Sequence, residues 1–291
     1  MEILLEYLIF LLKAFTVVVA IVIPILIIIS SLKSTSGSSA GGLRVKNLST
    51  KFSTTANDLK LSVLSEKERK ALEKNIKKKS KNKKKEKVSR KHIFVLNFNG
   101  DIEASQVEEL REEISSILNA DTKCQEVVLK LESGGGTVIG YGLAAAQLSR
   151  LKDSKIKLTI CIDKVAASGG YMMACVCNKI VSSPFAIIGS IGVVAAIPNF
   201  HKILKKNDVD YELHTAGEYK RTITMFGETT PAGRKKFKEH LEEIHILFKD
   251  HIKKFRPKLN MKKIATGETW EGIKALEVGL VDEISTSDEY L

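Results

Sequence analysis

The stretch Lys164–Cys175, KVAASGGYMMAC, sets one hydroxyl, Ser168, between an apolar run and two glycines. Serine is a preferred helix N-cap, and on that local rule alone Ser168 reads as a cap. A second glycine cluster, Ser133-Gly134-Gly135-Gly136, follows the apolar run EVVLKLE. Glycine lets a backbone N–H approach a ligand because no side chain intervenes. Together the two segments can make an acyl-transfer site. Ser168 would attack a carbonyl, and the amides of Gly169 and Gly135 would receive the oxyanion. The same glycines can cradle phosphate. However, SGGG lacks the lysine and Ser/Thr of a P-loop, and neither loop is G-x-G-x-x-G.

A serine nucleophile needs a base. The histidines are His92, His201, His214, His240, His245 and His251. His240 and His245 are five apart, not the i, i+4 spacing of H-E-x-x-H, so a zinc-peptidase pattern is absent. The helix histidines read as surface residues, and His214, near an expected strand end, is a minor candidate base. A lysine base must be neutral, which requires a dry pocket that lowers its pKa. Lys220 in HTAGEYKRTITMFGE follows a strand and a glycine turn and fits best. Lys164, four residues before Ser168, is the runner-up.

These residues need elements to hold them. HIFVLNF, EVVLKLE, KIKLTICID and KIVSS read as strands. SQVEELREEISSILNA reads as an amphipathic helix opened by a Ser105/Glu108 capping box. TVIGYGLAAAQLSRLK and GYMMACVC read as further helices. The β-α-β-α-β-α-β order implies an α/β fold with a mainly parallel sheet and crossover helices. VDYELHT is expected as a later strand. Thr230-Pro231 opens a long helix whose apolar stripe is Phe237, Leu241, Ile244, Phe248, Ile252 and Phe255, ending before Pro257. A last short helix spans Ile273–Val278. In open α/β sheets, sites gather beyond the carboxyl ends of the strands, which is where both glycine loops fall.

The chain has 291 residues and a net charge of +12. The excess is local: residues 67–91 hold 14 Lys/Arg against 3 Glu. Ahead of them, Ala14–Leu32 contains no charged residue over 19 positions. That matches the roughly 20 residues needed for a membrane-spanning helix. The acidic start and long apolar run fit an uncleaved anchor better than a signal peptide. The expected organisation is an anchor over 1–33, with the helix at about 14–32. A flexible linker and lysine-rich tether follow over 34–91, then a catalytic domain over 92–291. The lysine run has no interleaved aromatics for base stacking. It is therefore expected as a solvated tether or a contact for anionic lipid rather than for nucleic acid. Positive charges after the span place the body in the cytoplasm by the positive-inside rule. Cys124, Cys161, Cys175 and Cys177 lie in apolar segments and read as buried free thiols.

At the residues quoted, the chain resembles the signal peptide peptidase A family of bacterial membrane serine peptidases, closest to its SohB branch. The motifs are LESGGGTVIGYGLAAAQLSRL, DKVAASGGYMMACV, SSPFAIIGSIGVV, ELHTAGEYKRTITMFGE and TGETWEGIKALEVGLVDEI. The resemblance implies a ClpP/crotonase-type fold behind one N-terminal transmembrane helix. It implies a Ser/Lys dyad of Ser168 as nucleophile and Lys220 as general base, with Ser190 orienting the lysine. It implies Gly135 and Gly169 as oxyanion amides, no metal and no cofactor. The implied partners are hydrophobic or signal-peptide-like peptides, the lipid bilayer of the bacterial inner membrane and further copies in a homo-oligomeric ring. Some family members act outside the cytoplasm. The family loop reads Ser-Pro-Gly-Gly, and here Gly134 replaces the proline. A crotonase-like acyl-CoA enzyme and a catalytically idle membrane scaffold are the competing functions. The former has no use for Lys220 or an anchor.

Overall fold

A computed structural model describes residues 8–13, 15–16, 18–20, 43–83, 92–120 and 123–291. The chain divides into two compact units, Met1–Lys81 and Asn82–Leu291.

In the first unit, residues 8–13, 15–16 and 18–20 are helical. Most of the expected anchor and the Ser34–Gly42 linker lie outside the described residues. Among the described residues, no helix is long and apolar enough to cross a membrane. The lysine-rich segment is helical up to Lys83. Helix α1 (Leu48–Val63) opens at Asn47, whose side chain accepts the Thr50 N–H at 2.9 Å. Helix α2 (Glu66–Lys83) opens on Ser65, whose N–H and hydroxyl both donate to Glu68 at 3.1 and 2.6 Å. A glutamate three residues into the helix reaching back to the cap is the capping-box arrangement.

The second unit is built on one sheet. Strand β2 (Cys124–Ser133) is central. Val127, Val128 and Leu129 are all fully buried, as expected of a strand covered on both faces. Strand β1 (His92–Gly100) pairs along one edge of it in parallel. On the other edge lie β3 (Lys157–Ile162) and, at Ser133, the short β4 (Val165–Ala167). The sheet then branches. From β3 it continues through β5 (Lys179–Ser182) to β8 (Glu283–Ile284). From β4 it continues through β6 (Ile187–Gly189) to β7 (Thr269–Glu271), which makes the one antiparallel pairing of the sheet described.

Helices α3 (Val107–Asn119), α4 (Val138–Asp153), α5 (Gly169–Ala174), α6 (His201–Lys206), α7 (Pro231–Phe255), α8 (Met261–Ile264), α9 (Gly272–Glu277) and α10 (Ser287–Tyr290) complete the unit. Leu110 and Ile114 of α3, Tyr141 and Leu148 of α4, and Phe248 and Ile252 of α7 join the strand residues in one core. Thr230 caps α7 by accepting the Gly233 N–H at 3.0 Å, with Pro231 in the first turn. Beyond α7, Arg256 forks onto Asp282 at 2.7 and 2.8 Å, and Asp282 also accepts the Ile180 N–H at 2.7 Å. This ties the helix end to β5.

Three expectations are corrected. VDYELHT is not a strand: residues 209–215 are irregular and exposed. Alternating residues need a partner edge, and β7 already occupies the edge beside β6. Ser105 and Glu108 form no capping box. Asp101 takes the Ser105 N–H at 2.8 Å and its hydroxyl at 2.6 Å, and α3 begins at Val107. A carboxylate is the stronger acceptor and draws Ser105 away from the helix. The helix GYMMACVC stops at Ala174 and turns before β5. The short strands β4, β6, β7 and β8 add to the strands expected from the sequence.

Candidate active site

Ser168 follows β4, and Ser190 follows β6. Their preceding residues, Ala167 and Gly189, are register partners, so the serines sit one step beyond at adjacent strand ends. The Ser168 N–H donates to Gly189 O at 2.7 Å, and the Ser190 N–H donates to Glu268 O at 2.7 Å. Both serines have φ of +52°. Positive φ in a non-glycine residue costs about 1–3 kcal/mol and collects at functional sites. Ser168 occupies the N-cap position of α5, yet its side chain caps nothing. The cap role suggested by local rules is therefore not the one its hydroxyl plays.

The glycines let the two loops touch. At Gly135, φ is +88°, and a Cβ would lie 2.6 Å from Gly169 N and 2.7 Å from Ser168 Cβ. A Cβ on Gly169 would enter the Tyr141 ring, and one on Gly136 would enter the Ile102 carbonyl. A Cβ on Gly170 would stand 2.6 Å from Ser133 O, so this glycine permits α5 to pack on the end of β2. Gly134 has open space around it. The Gly135 N–H donates to Ser133 Oγ at 3.0 Å.

A cavity of about 370 Å³ opens between Ser168, Ser190, Gly169 and Gly136, walled by Val138, Met172 and Phe248. Ile244 and His245 of α7 and the Thr266–Gly267 turn close it. A more open hollow of about 490 Å³ lies beside the start of α7, lined by Arg234, Lys235 and Lys238 among others, and holds no strained serine.

The helix histidines are not all surface residues. His245 lines the Ser168 cavity, and its buried Nε2 has no hydrogen-bond partner among the described residues. Its position, four after Leu241 and three before Phe248, lies on the apolar stripe, a signal available in the sequence. His251 is half-buried, its Nε2 3.0 Å from Met172 O. Burial holds its pKa below the usual imidazole range, aided by Lys254 and opposed by the Met172 bond. His214 is exposed, 3.2 Å from Glu212, on irregular backbone rather than near a strand end.

Lys164 is ion-paired with Glu132 at 3.0 Å on the surface. Lys220 is exposed and does not line the cavity. Its ammonium makes no hydrogen bond or ion pair among the described residues. Cys161, Cys175 and Cys177 are buried free thiols, and Cys124 is partly exposed. Burial pushes Cys161 and Cys177 up to about 12, so both stay protonated and inert at neutral pH.

Strand ends bearing a strained, uncapped serine against a glycine loop define a hydrolase-like α/β site. Residues 2–148 match the family description "Peptidase family S49 N-terminal", and residues 150–291 match "Peptidase family S49". The chain belongs to peptidase family S49, within its SohB branch. It is 50% identical to "Probable protease SohB" of Haemophilus influenzae, over 100% of this chain and 85% of that one. It is 46% identical to the protein of the same description from Buchnera aphidicola subsp. Schlechtendalia chinensis, over 100% of this chain and 99% of that one. A solved structure of a membrane-bound stomatin-specific protease with a substrate peptide aligns at 15% identity and a TM-score of 0.42. That alignment covers 68% of this chain and 77% of the other.

Proposed function

We propose that this peptidase is a membrane-anchored serine endopeptidase acting through a Ser/Lys dyad. Ser168 is the nucleophile, Lys220 the general base and Ser190 the residue that orients the lysine. Gly169 and the facing loop around Gly135 supply the oxyanion amides. The observation that carries this is the pair Ser168 and Ser190, strained side by side in one cavity with the Ser168 hydroxyl uncapped. Apolar walls from Val138, Met172 and Phe248 suit extended hydrophobic or signal-peptide-like peptides. The dyad needs no metal or cofactor.

A lysine serves as a base only in a dry environment, and Lys220 is exposed, so its role requires a cover. Its surroundings favour assembly as the means. Tyr211, Leu213, Tyr219, Met225 and Phe226 are all exposed near it in sequence. Exposed apolar residues in such number mark an interaction surface. We therefore assign the cover to further copies of the chain in a homo-oligomer. The uncharged run Ala14–Leu32 anchors it in the bacterial inner membrane, with the lysine-rich segment against anionic lipid. Purified Ser168→Ala should fail to cleave test peptides that the parent cleaves. Equal rates would remove Ser168 from the mechanism.

A further inference from the structure

The loop facing Ser168 is tied down on both sides of one residue. On one side, the Gly135 N–H donates to Ser133 Oγ at 3.0 Å. Ser133 Oγ lies 2.5 Å from Tyr141 Oη, and Tyr141 donates to Asp101 O at 2.6 Å. A carbonyl only accepts, so the Tyr141 proton goes to Asp101, and Ser133 donates to the Tyr141 oxygen. On the other side, the Thr137 N–H donates to Ile102 O at 2.8 Å. Gly136 lies between these ties and lines the cavity. Its N–H has no partner among the described residues. The Gly169 N–H opens α5 and is likewise unpaired, as first-turn amides are unless a side chain caps them.

We propose that Ser133 and Tyr141 are positioning residues for oxyanion stabilisation. Their hydroxyl relay holds the Gly135 N–H inward and leaves the Gly136 N–H, with that of Gly169, as the pair presented to the reacting carbonyl. Tyr141 touches both halves of the arrangement. Its hydroxyl fixes the loop through Ser133, and its ring is the surface against which Gly169 packs. Both side chains are buried, Ser133 at 2% exposure and Tyr141 at 0%. A buried hydroxyl needs partners, and each of these finds them only in the other and in the two loop backbones. Burial also raises the Tyr141 pKa, which keeps the relay protonated. A phenylalanine would fill the same core volume, so the hydroxyl itself is what the loop requires.

The inference rests on Ser168 being the nucleophile, and the test separates the two. The full chain in detergent, as parent, Tyr141→Phe and Ser133→Ala, is treated with a fluorophosphonate probe and assayed on an apolar test peptide. Melting midpoints are measured in parallel. Both variants should lose kcat and Ser168 labelling rate on the order of tenfold, because small displacements of reacting groups are costly. KM should stay within about twofold, since ground-state contacts are untouched. Parent-like or faster turnover in Ser133→Ala would overturn the proposal and return the donor role to a freed Gly135 N–H. A fall in melting midpoint and rise in KM with kcat unchanged would make the relay merely structural and also overturn it. A parent that takes no label at Ser168 refutes the nucleophile itself, and the relay falls with it. A labelled parent with unaffected variants refutes only the relay.

Discussion

Ser168 and Ser190 are neighbours across β4 and β6, one residue beyond the Ala167–Gly189 register pair, and share φ of +52°. The Ser168 N–H is held by Gly189 O at 2.7 Å, so the residue before one serine anchors the other. Two strained serines at one sheet end imply linked roles. Ser190→Ala should lower kcat on the order of a hundredfold, the scale of a mispositioned general base, with KM little changed. Steady-state kinetics on one peptide measure this. An unchanged kcat would detach Ser190 from the dyad.

The glycine loop should discriminate between adjacent positions. Gly134→Ala places its methyl in open space and should leave activity and melting midpoint near the parent. Gly135→Ala forces a side chain at φ of +88° against Gly169 N. It should lower kcat on the order of a hundredfold, because the methyl pushes aside the Gly169 N–H, a proposed oxyanion donor. Comparable activity in the two variants would show that the loops need not touch.

Lys220 should work only within the assembly. Ser168→Ala and Lys220→Ala should each be inactive. Mixing them and allowing subunits to exchange should restore part of the activity if the lysine reaches a neighbour's cavity. Light scattering on the same samples should report a mass above that of one chain. No recovery, with subunit exchange demonstrated by tagged copies, would assign Lys220 to its own chain's serine.

His251 links pH to the wall of the cavity. Its folded pKa is lowered, so its contribution to stability is complete above the unfolded value of about 6.5 and is lost as pH falls below it. Melting midpoints should drop as pH falls from about 6.5 toward the lowered folded value. The drop should shrink in His251→Gln. A variant with the parent's pH dependence would place the effect elsewhere.

Asp282 acts lower on the pH scale. Burial opposes its charge, but the hydrogen bonds from Arg256 and the Ile180 N–H outweigh it and hold its pKa below the usual carboxylate range. The stability it gives is present above about pH 3.9 and lost as pH falls through the folded value. Asp282→Asn leaves Arg256 half-buried without a counter-charge and should cost about 2 kcal/mol at neutral pH, measured by denaturant unfolding.

Much of this was legible in the residues. Short apolar-rich runs mark β2 and β3, and Thr230-Pro231 marks the start of α7, because these signals are local. Ser168 is ambiguous from residue type alone, since a cap and a nucleophile use the same residue at the same helix position. What separates them is the unmade side-chain bond and the positive φ, neither of which a residue type reveals. The strands β4, β6 and β7 are three residues each, too short for periodicity to register. VDYELHT has a strand's alternation but no edge to join, a tertiary fact. His245 could have been found, because it falls on the helical stripe. The Ser133–Tyr141 relay could not, because the bond spans a loop whose path the spacing does not specify.

The Ser168 hydroxyl oxygen is the proposed reacting atom. The most direct test of that role is mass spectrometry of the full chain after fluorophosphonate treatment, with the adduct mapped by peptide sequencing. One adduct per chain on Ser168, absent in Ser168→Ala and slowed in Lys220→Ala, is the predicted result. A cleavage-competent protein that carries no adduct there, or carries it on another serine, would contradict the account.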